Sequence, residues 1–304
     1  MFNFLEPVRN LDFVKHRFYF IGVSIVIIII GIIAFFVKGG FKQSIDFAGG
    51  TRLEVQIKDD EANIDKVRKV ISSTGITKDI TYVGDPKDKI FLISIGVREH
   101  YIEDVEKLKS TLKSEFKEVD IRGESTVGPR LSQEFFRNAM LLSAVVAILI
   151  LIYIGIRFDL IFGLGAIISL IHDLLIVLTV VILFNIEIDI TIIAAILTIL
   201  GYSVTDTVVV YDRIRENFEN AKSSEIEYIV NKSIRQVIVR SILTSFTTLL
   251  VTIAFILWGP ENLKGFSISL LIGIISGTYS SIFIASPIVI ELEKERLRRE
   301  EQKI

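Results

Sequence analysis

Long apolar runs free of charge recur along the chain, and one intervening block of about a hundred residues follows a different hydrophobic period. Phe18 to Val37 and Ala139 to Ile156 carry no charge. Leu160 to Phe184 is interrupted by His172-Asp173 and Ile190 to Tyr211 by Asp206, while Ser241 to Trp258 and Gly265 to Ile290 are again uncharged. A helix crossing a hydrocarbon core of about 30 Å needs about 20 apolar residues, so the pattern predicts six transmembrane helices. The first run exceeds the roughly 7–15 residues of a signal-peptide apolar core and is read as a retained span.

Between the first two spans the period changes. Asp46 to Ile57 alternates as a strand does, and Asn63 to Ser73 places Ile64, Val67, Val70 and Ile71 at helical spacing. Ile80 to Val83 and Ile90 to Ile95 read as strands joined through the turn residues Gly84-Asp85-Pro86. Tyr101 to Phe116 is a second amphipathic helix with Ile102, Val105, Leu108, Leu112 and Phe116 on one face, and Val119 to Val127 is a last strand. Strand, helix, strand, strand, helix, strand is the order of an α+β ferredoxin-like domain, an order that leaves function open. The expected organisation is residues 1–37 as N-terminus and first span, 38–130 as an external domain, and 131–304 as spans two to six with a C-terminal tail. The fold class is an α-helical polytopic membrane protein carrying one ferredoxin-like domain.

Charge orients the spans. Arg9, Lys15 and Arg17 precede the first. Arg213, Arg215, Lys222, Lys232, Arg235 and Arg240 fall between the fourth and fifth or beside them, and Lys294, Arg296, Arg298, Arg299 and Lys303 follow the sixth. Short basic segments stay cytoplasmic, which puts both termini in the cytoplasm and the domain outside it. Hydrophobic residues make up 51% of the 304 and charged ones 23%, so the two are segregated. The 34 Lys and Arg nearly balance 36 Asp and Glu, giving no basic excess and no expectation of a nucleic-acid partner. There is no cysteine, and His16, His100 and His172 are scattered, so no zinc cluster or thiol chemistry is expected. His100 and Asp59-Asp60-Glu61 read as helix-start residues rather than catalytic or metal-binding groups.

Candidate chemistry lies within the spans, where an ionisable side chain at mid-membrane costs about 2.5–3.5 kcal/mol on translocon scales. Asp206 is flanked on its helical face by Ser203 and Thr207. A carboxyl held between a desolvating environment and a neighbouring cation can load and release a proton. Arg240 is the candidate cation. It begins an i, i+4 stripe continued by Thr244, Thr248 and Thr252, which lines either a hydrated path or a helix contact, or lets Arg240 reach cytoplasmic water. His172-Asp173 shares a face with Gly165 and Ser169 and should point into the bundle. Adjacent helix residues diverge by about 100°, so no relay within this pair is expected, and an inter-helix hydrogen bond competes with a place on a proton path. Ser269, Gly273, Gly277, Ser281 and Ala285 place a small residue at every fourth position of the sixth span, a groove for close helix packing within this chain or against a partner.

The run Gly201-Tyr202-Ser203-Val204-Thr205-Asp206-Thr207-Val208-Val209-Val210-Tyr211-Asp212-Arg213-Ile214-Arg215-Glu216-Asn217 resembles the signature of the SecF family. Asp46-Phe47-Ala48-Gly49-Gly50-Thr51 is similar to that family's DFxGGT motif, although Ser44 stands where the family has glycine, and Val127-Gly128-Pro129 resembles its exit from the external domain. SecF is the smaller membrane subunit of the SecD–SecF pair, related to the RND transporter superfamily. The resemblance implies half of a twelve-span bundle in the cytoplasmic (inner) membrane, with SecD supplied by a separate chain. It implies a non-enzymatic role without cofactor, drawing a preprotein outward late in translocation at the expense of the proton motive force. Asp206 and Arg240 are then the proton-path residues, supported by Ser203, Thr207, His172, Asp173, Thr244 and Thr248. Gly49, Gly50 and Pro129 become candidate hinges for movement of the external domain. Partners implied are SecD, the SecYEG channel with SecA and YidC as neighbours, the preprotein and membrane lipid.

Rival readings are an RND-like small-molecule or lipid exporter working as a homodimer, and a membrane-anchored receptor or scaffold with no need of Asp206. Intramembrane proteolysis lacks a Ser–Lys dyad, HExxH or paired GxGD-type aspartates in the spans. One carboxylate among hydroxyls suits H⁺ or Na⁺ equally.

Overall fold

The computed structural model describes residues 11–77, 79–97, 100–219 and 225–302. Arg9, Lys222 and Lys303, used above in orienting the spans, lie outside them. In chain order the elements are α1 (Arg17–Lys38), α2 (Ile45–Ala48), β1 (Gly50–Ile57), α3 (Ile64–Ser73), β2 (Asp79–Tyr82), β3 (Ile90–Ile95), α4 (Tyr101–Glu115), β4 (Val119–Val127) and α5 (Pro129–Arg157). They continue with α6 (Leu160–Leu183), α7 (Ile190–Glu219), α8 (Ile226–Trp258), α9 (Lys264–Ser280), a π-turn (Ser281–Ala285) and α10 (Ser286–Glu301). Among the described residues six stretches are long and apolar enough to cross a membrane: α1, α5, α6, α7, α8, and the sixth formed by Glu261–Glu301. The described residues within 43–142 and 187–190 form one compact unit, and those within 1–42, 143–186 and 191–304 another.

In the first unit, four antiparallel strands lie in the order β2-β3-β1-β4, the sheet of a ferredoxin-like domain. Strand periodicity turns Leu53, Val55 and Ile57 to one face, where all are fully buried, and leaves Arg52, Glu54 and Gln56 on the other. Helices α3 and α4 cover the apolar face with Val67 and Ile71, and with Val105, Leu108 and Leu112, against Phe91, Ile93 and Ile95 of β3. Ile102, assigned by its spacing to the same stripe, is exposed in the first turn of α4. Asn63 caps α3 by accepting from the Lys66 N–H at 2.8 Å. Asp59 therefore lies in the loop ahead of the helix. Its Oδ1 accepts from the Glu61 N–H at 3.1 Å and its Oδ2 from the Lys117 N–H at 3.4 Å, tying two loops together.

The strand expected from Asp46 begins only at Gly50. Ser44 Oγ accepts from the Asp46 N–H at 3.1 Å and starts the single helical turn α2, which Gly49 ends at φ 73°. The local cap outweighs the alternation read from Asp46 onward. Asp46 Oδ2 in turn accepts from the Ile190 N–H at 3.3 Å, the Ser44 N–H donates to the Ile188 carbonyl at 3.0 Å, and Arg52 pairs with Glu187. The segment 187–190 between α6 and α7 is thus held by the residues around the Asp46 motif. Gly50 has φ 127°, and a Cβ there would sit 2.2 Å from the Ile95 carbonyl oxygen; at Gly49 it would meet Val97 Cγ2 at 2.6 Å. Pro129 opens α5, a position where its missing N–H is no loss.

In the second unit α6, α7 and the α9–α10 stretch are the inner helices, whereas α1, α5 and α8 expose most of their apolar surface. Five of these spans extend to or beyond the apolar runs that predicted them, as α5 starts at Pro129, α7 runs to Glu219 and α8 begins at Ile226, and α6 ends at Leu183, one residue short of its run. Hydrogen bonding within a helix does not stop where charge begins, so the apolar run marks the part suited to the membrane and not the helix. At one end of the bundle Arg17 binds Glu227 at 2.8 Å and Glu291 at 3.0 Å, and Lys294 also reaches Glu227 at 2.5 Å. At the other, Lys38 Nζ donates to the Ile182 and Leu183 carbonyls at the C-terminus of α6.

Two expectations follow. Gly50→Ala should destabilise the sheet by about 1–3 kcal/mol, read as loss of hydrogen-exchange protection in β1 and β3, whereas Gly84→Ala, with φ 73° but open space around it, should cost less. The two backbone N–H donors hold the Asp59 carboxyl below the usual carboxylate range. Its stabilisation is therefore present above the unfolded value of about 3.9 and is lost as pH falls through the lower folded value. Asp59→Asn should accordingly be less stable than wild type at neutral pH and indistinguishable from it at the acid end of a pH series of denaturation curves.

Candidate functional site

The inner helices α6 and α7 each bury a carboxylate inside their apolar runs, Asp173 and Asp206. Asp173 on α6 is fully buried. Its Oδ1 accepts from Ser276 Oγ at 2.6 Å and lies 3.0 Å from His172 Nδ1; its Oδ2 accepts from Ser203 Oγ at 2.6 Å and Ser280 Oγ at 2.7 Å. Donors from α7 and α9 thus converge on one acid of α6, the condition under which a buried carboxylate is tolerated. The pairing of His172 with Asp173 corrects the expectation that neighbours on a helix do not meet. Their Cβ vectors diverge, but the imidazole is long enough for Nδ1 to reach the adjacent carboxylate. On its other side His172 Nε2 lies 3.0 Å from Ser24 Oγ, which lies 2.8 Å from Tyr279 Oη, and Tyr279 donates to the Phe20 carbonyl at 2.6 Å. The imidazole and phenol rings stack with centroids 5.8 Å apart.

Asp206 on α7 is 7% exposed and accepts from Ser281 Oγ at 2.9 Å. It lines a cavity of about 210 Å³ with Tyr202, Thr205, Val209, Arg240, Ser241 and Thr244. Arg240 is on that cavity's wall but forms no ion pair among the described residues, so acid and base share a cleft without being locked together. Ser203, expected beside Asp206, instead donates to Asp173, because at three residues' offset its side chain stands about 60° round the helix from that of Asp206. Thr207 is buried and its Oγ1 has no hydrogen-bond partner among the described residues. The hydroxyls of Thr244, Thr248 and Thr252 bond back to carbonyls of their own helix, at Arg240, Thr244 and Leu249, as threonines in helices commonly do. The stripe exists, but its polarity is spent locally.

Close helix approach builds this arrangement. A Cβ at Gly273 would lie 2.3 Å from Ile199 Cδ1, and one at Gly277 would lie 3.1 Å from Ser203 Cβ. The glycines of the sixth span thus face α7 and let Ser203 enter between the helices. Gly165 leaves room for Tyr211 Oη, which donates to the Ala285 carbonyl at 3.2 Å in the π-turn. π-Turns often mark functional positions, and this one begins at Ser281, the donor to Asp206. Sequence reasoning missed Ser24, Ser276, Tyr279 and Ser280, and read Ser281 only as a small packing residue. The available signal was the number of serines in the sixth span, more than close packing needs.

Gly273→Ala is expected to destabilise the bundle by about 1–3 kcal/mol through overpacking. Combining it with Ile199→Ala should recover part of that loss in thermal unfolding of the full chain in detergent. Strictly additive effects of the two changes would show that the glycine does not set this spacing.

Residues 107–295 match the family model for the protein export membrane protein SecD/SecF, C-terminal, and residues 33–61 match the SecD/SecF GG motif. The protein translocase subunit SecF of Petrotoga mobilis is 40% identical over 94% of this chain and 97% of its own length. That of Thermodesulfovibrio yellowstonii is 38% identical over 95% and 96%. The crystal structure of SecDF, a translocon-associated membrane protein from Thermus thermophilus, superposes with a TM-score of 0.81 at 32% identity, covering 93% of this chain and 39% of that longer one. Full-length similarity to subunits of one kind, together with both family models, shows that the chain belongs to the SecF family of protein-export membrane proteins.

Proposed function

We propose that this protein acts with SecD, supplied as a separate chain, as a non-enzymatic coupler that uses the proton motive force to drive late movement of a preprotein across the cytoplasmic membrane. The observation that carries the reading is the cleft in which buried Asp206 and Arg240, without an ion pair among the described residues, face one cavity. A carboxylate fixed by one hydroxyl and accompanied by a free cation can exchange a proton with little rearrangement. The match to SecDF covers a fraction of that chain, consistent with SecD forming the other half. In this reading both termini are cytoplasmic and residues 38–130 lie outside, with Gly49, Gly50 and Pro129 at the two crossings where the domain pivots. SecYEG, SecA and YidC are its expected neighbours, and membrane lipid covers its outer helices.

Asp206→Asn preserves shape but cannot titrate. In vesicles containing this chain and its SecD, the variant should assemble normally and retain ATP-driven translocation while losing the increment produced by an imposed proton gradient. An increment equal to wild type would refute Asp206 as the coupling site. Stimulation by a Na⁺ gradient alone would keep the site and change the ion.

A further inference from the structure

The hydrogen bonds around His172 have a direction that fixes where a second proton resides. The chain ends at the Phe20 carbonyl, which can only accept, so the single hydroxyl proton of Tyr279 is committed there at 2.6 Å. Tyr279 Oη must then accept from Ser24 at 2.8 Å, which commits the Ser24 proton. The 3.0 Å contact between Ser24 Oγ and His172 Nε2 consequently requires Nε2–H. With Nε2 protonated, the neutral imidazole presents a bare Nδ1 to Asp173 Oδ1, also at 3.0 Å. Two lone pairs would face each other unless one further proton lies between them. Ser276 cannot supply it, because its hydroxyl already donates to the same Oδ1, and Ser203 and Ser280 are committed to Oδ2.

We propose that His172 and Asp173 form a second proton-binding site of the membrane unit, holding one proton between Nδ1 and Oδ1 in addition to the one exchanged at Asp206. Loaded, the pair is an imidazolium beside a carboxylate, or equally a neutral imidazole beside a carboxylic acid, and carries no net charge. Release of that proton leaves a neutral imidazole facing a carboxylate, and the pair becomes a buried anion. The groups facing it are Ser24 from α1, Ser203 from α7, and Ser276, Tyr279 and Ser280 from α9, with Ser169 on its own helix 3.4 Å from Ser280. The neighbouring carboxylate is Asp206, held by Ser281 next to Ser280, and Arg240, which has no ion pair among the described residues, lies in the Asp206 cleft. Arg17 lies on α1 with Ser24 but is engaged by Glu227 and Glu291. An anion released at Asp173 is therefore sensed first by Asp206, so occupancy of the two sites is coupled.

This goes beyond the export reading and is tested separately from it. The full chain, assembled with its SecD in lipid bilayers and labelled with ¹⁵N-histidine, gives signals from three histidines, of which His172 is assigned by its loss in His172→Gln. The expected result is a protonated Nε2 throughout and an Nδ1 that loses one proton at a pH altered in Asp173→Asn. A bare Nε2, or an Nδ1 insensitive to pH between about 4 and 10, overturns the site. Should Asp173→Asn fail to assemble, Ser24→Ala removes only the acceptor of Nε2–H and must move the same titration; an unmoved titration also overturns it. In the vesicle assay His172→Gln should cut the gradient-dependent increment at least tenfold with assembly intact, and an unchanged increment counts against the proposal. Loss of the effect of Asp206→Asn alone would sink the coupling role of Asp206 and leave the histidine result standing.

Discussion

A carboxylate fully removed from water inside a membrane bundle is the constraint on which the arrangement of inner helices rests. Asp173 can remain there only if its oxygens are matched by donors at short range, since an uncompensated buried charge is far costlier than any single packing contact. Its donors come from α7 and α9, and the imidazole beside it is anchored in turn to α1. Four helices are therefore tied together by this side chain and the imidazole next to it. Bonds of 2.6 Å need helix axes closer than ordinary side chains permit, which is what Gly277 opposite Ser203 and Gly273 opposite Ile199 provide. Ser203 is thereby unavailable to Asp206, which instead accepts from Ser281. One acid is saturated with donors and the other sparingly held, from the same small set of serines.

Periodicity and the cost of membrane charge made much of this legible. Six apolar runs marked the spans because lipid imposes a length, and the alternation of Leu53, Val55 and Ile57 marked a strand because one face is buried. The cost of burying a charge singled out Asp206 and His172-Asp173 directly. What stayed hidden depends on rotation between helices. Nothing in the spacing of Ser276, Ser280 and Ser281 says that two of them face α6 and the third faces α7. Residue geometry on a single helix argued that His172 and Asp173 diverge, and it failed because it follows Cβ directions and ignores the reach of the imidazole. The Asp46 region misled for the opposite reason. An alternating pattern was present, but Ser44 as a cap and Gly49 at positive φ decide the backbone there.

The α+β unit obeys a different economy. It has its own closed apolar core between sheet and helices, and its polar signals sit where the chain turns. The glycines at 49 and 50 are there because backbone and side chains of β3 and the segment after it occupy the space a Cβ would need. Asp46 and Ser44 use their polar atoms on the 187–190 segment and on their own helical turn. A motif recognisable from sequence is here a set of backbone requirements, and none of its side chains shows chemistry of its own.

Asp173 and Asp206 are joined by consecutive residues. Ser280 donates to Asp173 and Ser281 to Asp206, and the helix changes to π geometry at that step. A π-turn widens the helix, so the Ser281 carbonyl accepts from Ser286 Oγ at 2.8 Å and the Ala285 carbonyl from Tyr211. Backbone groups loosened from the regular ladder are thus held by side chains, and such bonds can be exchanged without breaking the helix. If either carboxylate gains a proton, its serine loses an acceptor of full charge, and the adjacent serine shares the same stretch of backbone. The proposed coupling between the acids would then need no continuous chain of hydroxyls, because its two donors are neighbours in the chain, Ser280 ending α9 and Ser281 opening the π-turn.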